Sequence, residues 1–438
     1  MKKHWIIICA LLLVGCQKQK PDPTFDLINY TDFSFKNYFI ENQKSITIDF
    51  KNDVFNHGLL TDMDGKQYNL EEKFDSLKFL FANENRIPLT IKKTAPFVYK
   101  FSASKENYWV SNRLIVSLYN SKTNIRSHYM NIGNIYCLPE RKDYVEINTI
   151  DDFKNIKGDS TVILKSDIDF EGFDFKTKKV TDENCIVFTG IFINPDKHVI
   201  KNINYNSASE SEDFYFLFKN TFLAFFDSLI FDNVHYQRAL KDGCHDCFGF
   251  ITKTSLTTTF QNIQMNNFSI NYSYGICGSL TGISDEDNFI NNKINGKITC
   301  KLLRDEKTKR NISGGLAGIY SRSSDCSKNY WFDYQTAPNY YFNKYYQGIK
   351  TYETTLSLFE KYYDRAPQIN IISNNKLNVD IDGDFVAGGI FGAADNNNID
   401  SNTTNSGKVT GEYADSLYGI NYVFWWNCIK WDTTLEED

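Results

Sequence analysis

Four carboxylates crowd one short stretch of the sequence: Asp167, Asp169, Glu171 and Asp174, with Gly172 among them. Oxygen-rich clusters bind hard cations, and alternation along an extended strand would put the first three on one face. The spacing fails as an EF-hand loop, because the twelfth position is Lys178 and not a bidentate glutamate. The cluster therefore reads as a solvated strand edge. Cys244-His245-Asp246-Cys247 is the single CxxC. It has no second CxxC to complete a zinc site, no histidine directly after Cys247 for haem attachment, and no βαβ setting for a redox dithiol. The six histidines offer few partners for a triad. His-Glu-x-x-His, Gly-x-Ser-x-Gly and the phosphate-cradling glycine–lysine loop are absent. The sequence implies no catalytic residue, no metal and no cofactor. What it does concentrate is aromatic side chains: Trp331, Tyr334, Tyr340, Tyr341, Tyr345 and Tyr346 fall together. Rigid amphipathic rings suit a protein partner or a sugar face; the alternative is that they pack laterally as a cover.

Composition narrows the classes. Hydrophobic residues make up 42% of 438 residues and charged ones 23%, enough apolar material for more than one core. Forty-eight basic against fifty-four acidic side chains give −6, which argues against nucleic acid as a partner and against disorder. Aromatic residues reach 16% with only 8 prolines, a balance that suits strands.

The amino terminus carries an address. Lys2 and Lys3 precede an apolar run from Trp5 to Val14, too short to span a bilayer. It ends in Leu13-Val14-Gly15-Cys16, which resembles the lipobox of bacterial lipoproteins. The resemblance implies that residues 1–15 are a signal peptide. Cys16 would then be the first mature residue, carrying a diacylglyceryl group and a palmitate-type acylated amine that hold the chain to a membrane. Gln17 is not the aspartate that retains such proteins in an inner membrane, so the outer membrane is expected, with the chain facing the periplasm or the outside. Residues 16–24, with Pro21 and Pro23, read as a tether. Export leaves eight cysteines in an oxidising compartment: Cys137, Cys185, Cys244, Cys247, Cys277, Cys300, Cys326 and Cys428.

The chain divides near residue 144. Residues 25–143 hold short alternating runs such as Ser45–Phe50 and Leu114–Tyr119, broken by turn clusters such as Asp62-Met63-Asp64-Gly65. This pattern predicts an immunoglobulin-like β-sandwich. At the junction, Thr149 with Asp152 predicts a capped short helix that buries Phe153 and Ile156 and closes the open end of the C-terminal unit.

Repetition dominates residues 144–438. Ser313-Gly314-Gly315-Leu316-Ala317-Gly318 recurs as Ala387-Gly388-Gly389-Ile390-Phe391-Gly392, and more loosely at 277–282 and 247–252. Equivalent apolar positions are expected at Leu217, Phe250, Leu280, Leu316, Ile390 and Ile420. A second limb pairs apolar residues with a bend asparagine at 199–203, 260–263, 289–292, 371–374 and 399–402. Segments of this period cannot bury their own apolar face and close it by stacking in parallel, about 4.8 Å apart.

The Gly315-Leu316-Ala317-Gly318 core and its partner at 389–392 resemble the GLUG repeats of bacterial surface proteins, with Thr161–Phe170 and 188–203 as opening coils. The resemblance implies a right-handed parallel β-helix of the kind found in exported adhesins. The chain departs from the pattern at Phe248 and Ser279, where glycine is expected. Polysaccharide lyases share this architecture, yet no acidic and basic stripe repeats across the coils. The repeat alignment puts Cys247 and Cys277 at one position of consecutive coils, as a disulfide or as stacked thiols.

Between residues 321 and 367 the repeat lapses, and this aromatic insertion is the expected working surface. Phe424-Trp425-Trp426 and Trp431 would plug the last coil. The sequence thus predicts an all-β chain, an immunoglobulin-like β-sandwich followed by a right-handed parallel β-helix. Its expected role is non-catalytic adhesion or surface recognition of a glycan or protein ligand. The alternative is a carbohydrate-active β-helix enzyme or a glycan-binding accessory.

Overall fold

The structure is a computed structural model. It describes residues 24–25, 36–41, 44–61, 66–80, 89–103, 111–127, 130–175, 178–182, 185, 187–207, 215–238, 247–272, 275–285, 287–301, 311–321, 371–394 and 402–421. The described chain is all-β, and its larger part is a parallel β-helix-like stack.

One turn of that stack shows the rule. Thr252–Leu256, Thr259–Gln261, Gln264–Tyr272 and Ile276–Gly278 follow one another, and Thr281–Asp285 begins the next turn directly beside Thr252–Leu256. The four limbs build four parallel sheets. Sheet 1 has seven strands, from Val145–Ile147 to Ile372–Ser373. Sheet 2 has eight, including the long strands Val199–Ser207, Ile230–Arg238, Gln264–Tyr272, Lys293–Cys300 and Lys376–Gly383. Sheet 3 has seven, from Val187–Phe188 to Tyr418–Asn421, and sheet 4 has five, from Cys247–Phe248 to Tyr413–Asp415.

Register decides which residues stack. Thr252 pairs with Thr281, Thr281 with Ala317 and Ala317 with Phe391. Leu280, Leu316 and Ile390 therefore form one column, as the repeat predicts, with Leu280 N bonded to Leu316 O at 3.1 Å and Leu316 N to Ile390 O at 2.8 Å. Two expected members differ. Ile251, not Phe250, sits below Leu280, because Ile251 N donates to Leu280 O. Leu417, not Ile420, follows Ile390, and Ile420 pairs with Ala393. Phe250 is still buried, at the neighbouring position of the corner. The bend limbs also split. Residues 260–263, 289–292 and 371–374 run from sheet 1 into its bend, whereas Val199–Ser207 belongs to sheet 2.

The repeated glycines mark where sheets 4 and 3 fold tightly onto each other. A Cβ on Gly315 would lie 2.1 Å from Gly389 O, and one on Gly318 would lie 2.4 Å from Ile276 Cγ2. Neither position has room for a side chain. The observed register aligns Gly249, not Phe248, with Gly278, Gly314 and Gly388, so the departure expected at Phe248 disappears; Ser279, opposite Gly315, remains.

Inside the stack, Phe226, Phe260 and Phe289 lie face to face with centroids 5.5 and 5.2 Å apart, and Ile372 continues their column. Beside them a polar ladder closes the bend from sheet 1 to sheet 2. Asn292 Oδ1 accepts from Ile263 N at 2.8 Å, while its Nδ2 donates to Phe260 O and Asn375 Oδ1. Asn375 Nδ2 repeats the move toward Phe289 O and Thr403. Asp287, fully buried, closes the corner between sheets 3 and 1 by accepting from Thr258 N and from the hydroxyls of Ser255 and Ser284. The first coil is covered as expected. Ile150–Asn155 is a 3-10 helix with a Thr149–Asp152 capping box, and Phe153 and Ile156 are buried beneath it. The backbone N–H groups of Asn148 and Thr149, with the Thr149 hydroxyl, hold the Asp152 carboxyl below the usual range.

The N-terminal residues form two main sheets and a small two-stranded one, Leu59–Thr61 with Gln67–Asn69, around one apolar core. One runs Thr24–Phe25, Ile125–Ser127, Ser111–Asn120, Met130–Leu138 and Lys36–Glu41, with Ser76–Leu80 on Ser111–Asn120; the other is Ser45–Asp49, Val98–Ala103 and Leu89–Ala95. Ile48 and Phe101 from one sheet meet Leu77, Leu114, Val116 and Ile135 from the other. This unit docks on the outside of sheet 1. Tyr136 packs on Phe225 with centroids 4.7 Å apart, and Phe39 lies 5.4 Å from both rings. Asn134 Nδ2 reaches Thr259 Oγ1 at 3.4 Å, and Asn37 Nδ2 reaches Gln261 Oε1 at 3.2 Å.

Removing the Phe260 ring should destabilise the stack by about 3–5 kcal/mol, the range for a buried Phe→Ala. Urea unfolding of Phe260→Ala checks this; a loss below about 1 kcal/mol would mean the column does not hold the coils together. Asn292→Leu keeps the branched shape but strands Ile263 N and Phe260 O, and should cost about 1–3 kcal/mol for each group left unpaired. The same titration reads it, and an unchanged midpoint would refute the ladder.

Candidate ligand-binding face

The long strands of sheet 2 supply a broad regular surface in the described stack. Alternation buries Ile203, Tyr205, Val234, Tyr236, Ile270, Ile298 and Ile381, and turns the residues between them outward. Outward positions stack in polar rows. Asn204, His235, Ser269, Lys297 and Asp380 form one row, and Asn206, Gln237, Asn271, Thr299 and Asp382 another. His235 is fixed in its row, with Nδ1 2.6 Å from Ser269 Oγ and Nε2 2.9 Å from Asn233 Oδ1.

Where sheet 1 bends into sheet 2, the backbone takes left-handed φ at Asn262, Asn291 and Asn374, close to 55° each. Asparagine tolerates that conformation better than other side chains do. Asn374 Nδ2 donates to Asn291 Oδ1 at 2.7 Å, and Asn262 Nδ2 to Asp227 Oδ1 at 2.7 Å. Next to this ridge runs an open groove of about 470 Å³, lined by Lys197, Asn262, Gln264, Asn291, Lys293, Asn374 and Lys376. Lys293 lies directly beside Lys376 on the next coil. Lys197 Nζ donates to Ser228 Oγ and Lys376 Nζ to Asn402 O, while Lys293 has no ion pair among the described residues.

Carboxylates on the same sheet are engaged elsewhere. Asp382 takes Lys301 Nζ at 2.6 Å and the Thr410 hydroxyl, and the Lys301 ammonium holds its carboxyl below the ordinary range. Asp380 accepts from Lys408 N. Asp169 accepts from Asn202 Nδ2, from Glu171 N and from Lys201, with Asn202 the leading cause of its lowered pKa. Asp167 takes Val199 N and sits 3.4 Å from His198 Nδ1. Asp167 and Asp169 thus spend their oxygens on the opening coils. Among the described residues no three His, Cys, Asp or Glu side chains converge as a metal site requires.

The expected site residues fall into two groups. Cys16, Trp331, Tyr334, Tyr340, Tyr341, Tyr345 and Tyr346, together with the aromatic plug at 424–431, lie outside the described residues. Cys247 and Cys277 are described, and they correct the expectation. Cys247 pairs with Ile276 and Phe248 with Cys277, so the two cysteines are one residue out of step. Alternation then sends them to opposite sides. Cys277 joins the main core, and Cys247 joins a smaller cluster with Ile283, Ile312 and Ile319. The neighbour of Cys277 is Cys300, whose thiol is held well above its usual pKa by Cys277 and by burial. Cys137, Cys185, Cys247, Cys277 and Cys300 are all buried and none is in a disulfide.

Sequence reasoning passed over the groove lysines. The signal was present: Asn291-Asn292-Lys293 and Asn374-Asn375-Lys376 are the same tripeptide, and their asparagines meet 83 residues apart.

Fold and face together define the class as an all-β chain with a parallel β-helix-like stack and a repetitive polar surface. No family model, curated protein or solved structure matches the chain.

Burial pushes the thiols of Cys137 and Cys185 up to about 12. In the folded chain at pH 8 both should therefore resist iodoacetamide and label fully once unfolded. Peptide mass mapping checks this, and rapid labelling of the folded chain would contradict their burial.

Proposed function

We propose that the chain is a lipid-anchored protein of the cell envelope, held through Cys16 in an outer membrane, that acts in adhesion or surface recognition and does not turn over its ligand. The observation that carries this reading is the polar face of sheet 2, where amide, hydroxyl and charged side chains follow one another at strand spacing along the stack. Such a surface offers many equivalent weak contacts in a line. That suits a long or repetitive partner, which gains affinity by engaging several at once. The GLUG-like glycines, the right-handed winding they imply and the lipobox-like Leu13–Cys16 support an adhesin-like role.

The strand order of the N-terminal unit supports an immunoglobulin-like sandwich. The three-stranded sheet faces a sheet in which Ser76–Leu80, Ser111–Asn120, Met130–Leu138 and Lys36–Glu41 lie side by side, the last pair parallel. Through Tyr136 and Phe225 it acts as a fixed pedestal between the tether and the stack. The groove favours a second reading, a glycan-binding accessory, because lysines and carboxamides alone line it.

Two measurements test the proposal. Metabolic labelling with a palmitate analogue should mark the wild type and not Cys16→Ser, which should also be released from membranes; an unlabelled wild type would overturn the anchor. On a glycan array, Tyr340→Ala/Tyr341→Ala/Tyr345→Ala/Tyr346→Ala should weaken binding if the aromatic insertion takes part. Release of reducing ends from any bound polysaccharide would replace recognition with catalysis.

A further inference from the structure

We infer that the groove along the bend between sheets 1 and 2 binds an acidic polysaccharide, a chain bearing carboxylate or sulfate groups, laid parallel to the stacking axis. The inference rests on the proposed recognition role and names its ligand class. The lining consists of three lysines and four carboxamides, with no carboxylate and no apolar side chain. In a chain of net charge −6 this is a local reversal of sign. Of the carboxylates beside the groove, Asp227 takes Asn262 Nδ2 and Asp196 takes Lys165 Nζ, and Asp232 lies further along its strand on an earlier coil.

The unspent groups are donors. Lys293 Nζ, Asn291 Nδ2 and the Gln264 amide have no protein partner among the described residues, while Asn291 Oδ1 is taken by Asn374. A site with free N–H groups and an ammonium wants oxygen acceptors, and anionic ones form the shorter, stronger bonds. Lys293 and Lys376 are neighbours in register, so their stems lie about 4.8 Å apart along the axis. They can serve successive acidic groups of an extended polymer.

Other polyanions fit less well. An acidic peptide would look for apolar side-chain pockets or a free strand edge, and no aliphatic or aromatic residue lines the groove while its backbone is paired coil to coil. Single-stranded nucleic acid would look for aromatic platforms, and none lines the groove.

The test uses the full chain and isothermal titration with polygalacturonate, dextran sulfate, neutral dextran and poly-glutamate at 50 and 200 mM salt. Wild type should bind one or both acidic polysaccharides, several-fold more weakly at the higher salt because exposed charges are screened. It should bind neutral dextran at least tenfold more weakly. Lys293→Gln/Lys376→Gln should lose at least tenfold, whereas Lys154→Gln, a lysine outside the groove, should not. Thermal melts confirm that each variant is folded. Polygalacturonate against dextran sulfate separates carboxylate from sulfate recognition. Equal affinity for neutral dextran, tighter binding of poly-glutamate, or undiminished binding by the double variant overturns the groove assignment. In the last case a polysaccharide still binds and the recognition role survives on another surface. If no polysaccharide binds while intact cells or their extracts still do, the ligand class falls and the recognition role stands.

Discussion

Each coil of this protein is unfinished by itself. Its apolar face and its backbone groups point at the coil above and the coil below, and only in-register stacking satisfies both at once. The backbone bonds that join Ile251, Leu280, Leu316 and Ile390 also bring their side chains into one column. A slip of one residue would expose that column, strand the Asn292–Asn375 ladder and force Cβ atoms into the space reserved for Gly315 and Gly318. Hydrophobic, polar and steric terms therefore select the same register, and that agreement lets a stack of short strands hold a single arrangement.

This explains what was legible in the sequence. Gly-Gly-(Leu/Ile)-x-Gly announces a corner because close approach forbids a side chain there, and so Leu280, Leu316 and Ile390 could be placed in a column from sequence. The helix cap at Thr149–Asp152 was legible for a similar reason, since both residues make local bonds. Counting failed where coils differ in length. Phe250 and Ile251 are adjacent and both buried, so hydrophobicity alone could not choose between them, and the choice moved Cys247 out of line with Cys277. The bend asparagines misled for another reason. Asn202 and Asn262 both adopt left-handed backbone, but Asn202 lies within a strand of sheet 2 and Asn262 at the bend that follows a strand of sheet 1. Sequence marks a bend without saying which one.

The candidate site was harder to read than the fold. Its lysines and amides are ordinary surface residues in any one coil, and they become a groove only when coils far apart in sequence are laid side by side. The aromatic insertion stands out instead, because its residues are clustered along the chain. Stacking distributes function differently, with each rung adding one or two modest groups to a line. Asp382, Asp380 and Asp169 fit that picture, since their oxygens are tied to neighbouring rungs and leave the lysine corner electrostatically distinct.

One consequence concerns the coil that carries Ala317–Ser321 in sheet 3 and Ile372–Ser373 in sheet 1. The chain departs after one and re-enters at the other without disturbing alignment: Asn291 still meets Asn374 across 83 positions, and Lys293 still meets Lys376. Spacing between rungs is thus decoupled from the length of chain threaded between limbs. The length of chain between those limbs is therefore not what sets the gauge of the scaffold.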